Sequence, residues 1–250
     1  MPGAPRINRK SSERSGRGAG HAEIVATLGA EILSGARPPG SRLPSVEEMF
    51  EMFGVSRVVL REVTRTLAAK GMVTSKSKVG TRVQDSSHWN WLDPQVLEWR
   101  GKVGLDQAFL DHITQVRLAV EPAAARLAAR HRSRQDLAAL QAALQAMHDA
   151  EGNHRTFSEA DLAFHIAVSA ASGNPMFRSL TAATEMVLFG FLHVISHGVI
   201  AEERTHARST ARHGKILEAI EARDEEGASL ATIRVIEQGR KHARTTDGGA

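Results

Sequence analysis

Cysteine is absent from all 250 residues, so neither a disulfide nor a thiolate metal site can form, which suits a reducing cytosol. No apolar run approaches the roughly 20 residues that a bilayer span requires, and no secretory leader opens the chain. No strand pattern occurs anywhere after Leu105. Together these absences lead to the expectation of a cytoplasmic, soluble, mainly helical protein without a membrane partner.

What is present is unevenly distributed. A chain of this length makes one large or two medium domains, and 42% hydrophobic residues suffice for ordinary cores. Residues 1–88 hold 14 Lys and Arg against 8 Asp and Glu, whereas residues 89–250 hold 18 against 20. The net charge of +4 therefore hides a basic first part, as a phosphate-facing module requires, and a slightly acidic second part with another task. Residues 1–20 carry Arg6, Arg9, Lys10, Arg14 and Arg17 among Pro, Gly and Ser without an apolar period, which predicts a disordered basic tail.

The stretch Leu43–Val83 carries the strongest pattern. Ser45 and Glu48 have the spacing of a capping box, and Val46, Met49, Phe50 and Phe53 predict the apolar face of a short helix. Gly54 supplies a reversal, and Ser56 caps a second helix whose Val59, Leu60, Val63 and Leu67 recur at helical spacing. Its opposite face carries Ser56, Arg57, Val58, Arg61, Thr64 and Arg65. Two helices joined by a tight glycine turn, with arginines opening the second, predict a helix-turn-helix whose second helix reads the major groove of double-stranded DNA. After Gly71, two short strands around Lys76 and Lys78 predict a wing whose cations reach phosphate. A preceding helix over Ala22–Gly35 completes a winged domain over 21–86, with Ser45 also on its DNA-facing side. Residues 87–104, with Trp89, Trp91, Leu92, Val96, Leu97 and Trp99, predict a linker containing a short amphipathic helix.

This stretch resembles the winged helix-turn-helix of GntR-superfamily transcription regulators over about residues 20–85. The resemblance implies that the Arg-x-x-x-Arg pair, here Arg57 and Arg61, makes operator contacts. There are two departures: Glu47 stands where an arginine is common, and Ser77-Lys78 stands where the wing tip usually carries Pro-Gly.

Beyond Leu105 the periodicity predicts an antiparallel all-helical bundle of six helices, 105–131, 133–149, 154–172, 175–199, 207–222 and 225–243, within a domain over 105–245. Asp161 and His165 lie at i and i+4 and share a helix face, and His213 opens another helix. One carboxylate and two imidazoles suit a first-row transition metal; a core ion pair is the alternative. Arg117, flanked by Val116, Leu118 and Ala119, is aimed inward, where it can clamp a carboxylate or simply pair with Glu121 one turn on. Ser209 and Arg240 are further pocket candidates.

This half resembles the all-helical (FCD-type) effector domain of the FadR subgroup, through R117LAVEPAAARLAAR, D161LAFH, ASGNP and H213GKILEAIEARD. The resemblance implies a homodimer, a small carboxylate effector and a divalent metal of zinc or nickel type on one Asp and three His. Asp161, His165 and His213 match three of those ligands, but the fourth position is Val235. The segment WNWLDPQVLEW looks most like that of regulators of sugar-acid catabolism, which implies an effector such as a galactonate bound by Arg117, Asp161, His165, Ser209, His213 and Arg240. The expected function is thus an effector-controlled DNA-binding repressor and not an enzyme. Two alternatives stay open: a metal-dependent hydrolase using Asp161, His165 and His213, and an architectural DNA-binding protein without an effector.

Overall fold

The computed structural model describes residues 20–76, 79–150, 153–195 and 203–247. Two compact units divide between Asn90 and Trp91. No helix among the described residues is long and apolar enough to cross a membrane.

The first unit runs α1 (His21–Leu33), α2 (Val46–Phe53), α3 (Arg57–Ala69), β1 (Val73–Lys76) and β2 (Gly80–Val83). Ser45 closes the expected capping box: its hydroxyl accepts from the Glu48 N–H at 3.2 Å, and the Glu48 carboxylate accepts from the Ser45 N–H at 2.6 Å. Gly54 ends α2 at φ 66°, and the Ser56 hydroxyl accepts from the Val59 N–H to open α3. Helix α3 buries Leu60, Val63 and Leu67 against α1 and α2, and the strands pair antiparallel with Val73 opposite Val83 and Lys76 opposite Gly80. The four-residue apolar face expected on α2 is narrower in the structure. Only Met49 is fully buried and Phe50 is 47% exposed, because an eight-residue helix meets α3 along a single seam.

The segment expected to join the two halves divides between them. Asn90 donates its N–H to the Lys70 carbonyl, and the Trp89 indole donates to the Gln84 carbonyl, both within the first unit. In the second unit, α4 (Pro94–Val103) is capped by Asp93 and packs on the later helix α8 (Pro175–Ile195). Leu92, expected on the apolar face of this helix, precedes it and is 52% exposed.

The rest of the second unit is α5 (Gln107–His131), α6 (Arg134–His148), α7 (His154–Ala171), α8 (Pro175–Ile195), α9 (Glu203–Glu221) and α10 (Glu225–Asp247). These are the six expected helices, with starts and ends displaced by a few residues. Residues 196–199, expected to extend α8, lie outside the described residues, as do residues 1–19 of the expected tail and the wing-tip pair 77–78. Helix α5 is the hub: it packs on α7, α8, α9 and α10. Small residues let its neighbours approach closely, and Ala125, Ala128 and Ala129 form one core with Leu140, Phe164, Val168, Ile216 and Ile220.

Gly71 ends the α3 hairpin at φ 72°, and a Cβ there would meet the His88 carbonyl oxygen at 2.0 Å. Gly54 has a similar φ but open space around it. Gly54→Ala is therefore expected to cost about 1–2 kcal/mol from left-handed backbone alone. Gly71→Ala adds overpacking and is expected to cost about 3 kcal/mol or more. Urea unfolding of the first unit, followed by Trp89 fluorescence, checks this order.

Candidate functional site

Two sites emerge, one exposed in the first unit and one buried in the second. On α3, Ser56, Arg57, Val58, Arg61 and Arg65 are all exposed, opposite the buried Leu60–Val63–Leu67 face. Arg57 and Arg61 pair with no carboxylate among the described residues, whereas Arg65 reaches Glu62 at 2.7 Å. Ser45 and Ser56 spend their hydroxyls on capping. Lys76 is exposed at the end of β1; Lys78 lies outside the described residues.

The buried site lies where α5, α7, α8 and α9 meet. Arg117 Nε donates to Glu121 Oε1 at 2.6 Å, and Arg117 Nη2 lies 2.6 Å from Glu185 Oε1. That second contact is one of charge without hydrogen-bond geometry, since Glu185 Oε1 is buried and has no hydrogen-bond partner. His165 Nδ1 faces Glu121 Oε2 at 2.8 Å, and His213 Nδ1 faces the Ser209 carbonyl oxygen at 2.8 Å. Both oxygens only accept, so each Nδ1 carries its proton and each Nε2 turns inward. The two Nε2 atoms lie 3.2 Å apart, and His213 Nε2 is 3.1 Å from Asp161 Oδ1. His165 and His213 are 3% and 1% exposed.

Burial works against every charge in this cluster, and the neighbours decide the outcome. Burial would raise the Glu121 carboxyl, but Arg117 and His165 hold it at about 2. Burial would lower His165, but the Glu185 and Glu121 carboxylates lift it to about 9. For Glu185 burial prevails over Arg117 and His165 and lifts the carboxyl to about 7. Asp161 resists burial through His213 and His165 and stays well below the usual carboxylate range.

Asp161, His165 and His213 offer ligand atoms within 4.8 Å of one another, as do Glu121, His165 and Glu185. A tetrahedral ion with bonds of 2.0–2.1 Å separates its donors by about 3.3 Å. The separations of 3.1 Å (His213 Nε2 to Asp161 Oδ1) and 3.2 Å (between the two Nε2 atoms) are close to that value, while His165 Nε2 and Asp161 Oδ2 stand wider, at 3.9 Å. Outer partners that fix both imidazoles are the usual support of a metal site. Val235, at the position where the resemblance implies a fourth ligand, is a buried apolar residue on α10.

Comparison with known proteins decides between the readings. Residues 21–83 match the family described as bacterial regulatory proteins, gntR family, and residues 112–238 match the FCD domain. The chain belongs to the GntR family of transcription regulators. It is 33% identical over 213 residues to the galactonate operon transcriptional repressor of Escherichia coli K12, across 85% of this chain and 92% of that protein. It is 28% identical to the transcriptional regulator LutR of Bacillus subtilis, across 82% and 94% of the two chains. Solved structures share the fold. Lar of Listeria monocytogenes aligns with TM-score 0.64 at 18% identity, over 90% of this chain and 96% of that one. McbR/YncC of E. coli aligns with TM-score 0.53 at 20% identity, over 90% and 97%.

These relatives are regulators, so this GntR-family chain is a regulator and the hydrolase alternative falls. In its FCD domain the structure brings together Arg117, Asp161, His165 and His213. Ser209 joins through its backbone carbonyl. Arg240 instead donates to Asp111 at 3.1 Å and has no described contact with the cluster. Sequence reading overlooked Glu185 and treated Glu121 only as a helix partner of Arg117. The signal for Glu185 was a lone charge between Arg178 and His193 in an otherwise uncharged run.

The charges predict how the FCD domain responds to pH without metal. His165 and Glu185 both bind protons more tightly when folded than their ordinary values of 6.5 and 4.5. Stability contributed by protonated His165 is complete below pH about 6.5 and is lost towards 9. Ionising Glu185 removes stability between about 4.5 and 7. Urea unfolding in chelator is expected to show stability falling from pH 5 to 9, with the acid part of the fall flattened in Glu185→Gln. A rise over this window would contradict the geometry.

Proposed function

We propose that this GntR-family regulator is a repressor that binds its operator as a homodimer and loses affinity when a small carboxylate, a sugar acid such as a galactonate, binds in the FCD domain. The observation that carries this reading is the convergence of two imidazole Nε2 atoms and a carboxylate beside an inward guanidinium, where four helices meet. The 33% identity with a galactonate operon repressor supports the effector class.

Asp161, His165 and His213 would hold a divalent transition metal of zinc or nickel type, which when bound supplies a Lewis acid for an effector oxygen. Arg117 binds the effector carboxylate: its Nη2 lies 3.4 Å from His165 Nε2, at the edge of the cluster. Glu185 is the partner that yields, because a carboxyl lifted to about 7 takes up a proton readily when Arg117 leaves it. Asp161, His165 and His213 meet the remaining polar groups of a hydroxy acid. In the first unit, Arg57 and Arg61 read guanine edges while Ser45, Ser56, Arg65, Lys76 and Lys78 contact the backbone. A dimer places two such helices about one turn of DNA apart. The effector weakens operator binding only by its differential affinity for the two states, typically about 1–3 kcal/mol.

A thermal-shift series against sugar acids and hydroxy acids, with manganese, nickel, zinc or chelator, tests the sensor. One acid at 100 times its Kd is expected to stabilise by about 2.7 kcal/mol, with the shift lost in Arg117→Ala. If no acid shifts the protein under any metal condition, the carboxylate reading is wrong. For the DNA face, Arg57→Ala and Arg61→Ala are each expected to lower specific operator affinity by about 1–3 kcal/mol. Undiminished binding by both would remove the recognition-helix assignment.

A further inference from the structure

Val58 is 70% exposed, more than any other large apolar side chain among the described residues. Its position is not incidental to α3. At about 100° per residue, Leu60, Val63 and Leu67 mark the buried side, and Val58 and Arg65 fall nearly opposite, on the crest of the outward face. Arg61 and, further round, Arg57 lie on one side of that crest. Val58 is the second residue of the helix, in the N-terminal turn that a recognition helix presents to base edges. None of the described residues of the first unit covers it, and a β-branched residue there gains nothing in helix propensity over Lys, Gln or Glu. An isolated surface valine is ordinary elsewhere. Here it stands beside two arginines that pair with no carboxylate among the described residues, on the face assigned to DNA.

The donor and acceptor edges of the major groove offer a valine nothing; the C5 methyl of thymine is the one apolar group there. We infer that Val58 reads a thymine methyl, so that each operator half-site carries a thymine beside the guanine contacted by Arg57 or Arg61. This inference rests on the recognition-helix assignment above and adds a base identity to it. Burying one methyl against Val58 corresponds to about a fourfold gain in affinity, small beside an arginine–guanine pair but enough to choose between thymine and cytosine-bearing sites.

The test uses the whole chain and a duplex of selected sequence. An operator is first selected from a random double-stranded DNA library. Each thymine of the half-site is then replaced singly by deoxyuridine, which removes the methyl and keeps every hydrogen-bonding group. One position per half-site is expected to weaken wild-type binding about fourfold, and Val58→Ala is expected to bind the thymine and deoxyuridine duplexes equally. The deoxyuridine series on unmodified protein stands whether or not the variant folds well. If no deoxyuridine position weakens binding, or if the loss persists in a folded Val58→Ala, the inference is overturned. Arg57→Ala and Arg61→Ala in the same assay separate the two failures. If they lose affinity while deoxyuridine has no effect, only the valine assignment falls; if they bind as wild type, the recognition-helix assignment falls with it.

Discussion

Everything in the second unit depends on keeping charge inside a helical bundle. Arg117, Glu121, Asp161, His165, Glu185 and His213 come from four helices and form one contiguous cluster. Removing any one of them leaves another buried charge without its partner, which costs far more than the pair contributes. With both imidazoles neutral, three carboxylates face one guanidinium, an excess of two negative charges that low-dielectric surroundings do not tolerate. Protons on His165 and Glu185 relieve it; a divalent cation between Asp161, His165 and His213 would relieve it too. The most stable arrangement of such a cluster depends on which positive charge it holds.

The two arginine sites illustrate how environment sets the job of one residue type. Arg117 is almost enclosed and held by two carboxylates, so its planar fork is fixed in direction before any ligand arrives. Arg57 and Arg61 are exposed and pair with no carboxylate among the described residues, so their side chains keep their rotamer freedom. Arg65, two turns into the helix, is already engaged by Glu62. Caps and turns in the first unit hold the presenting surface still: the Ser45–Glu48 box, the Ser56 cap and Gly71 pressed against the His88 carbonyl all fix where α3 begins and ends.

Much of this was legible residue by residue. The starts of α2 and α3 followed from Ser45 and Ser56, because capping acts over three or four residues. The Asp161–His165 pair was legible because i and i+4 share a face. The neighbours of Arg117 were only half legible: Glu121 is local, but Glu185 is 68 positions further along and meets it only because α8 packs on α5. Phe50 misled, since its spacing fits an apolar face yet α2 has a single buried seam. Arg240 misled as well, because its place on the last helix did not reveal that Asp111 would claim it.

By itself the sequence determined what local rules govern: the order and extent of the helices, the two-stranded wing, the outward arginines of α3 and the absence of any thiol chemistry. Helix packing alone set which charges come together, that the two histidine Nε2 atoms approach each other beside Asp161, and that Glu185 completes the cluster. The physical reason is range. Hydrogen bonds within a turn are specified by neighbours three or four residues away, whereas electrostatic company in a core is chosen by helix packing across the whole domain.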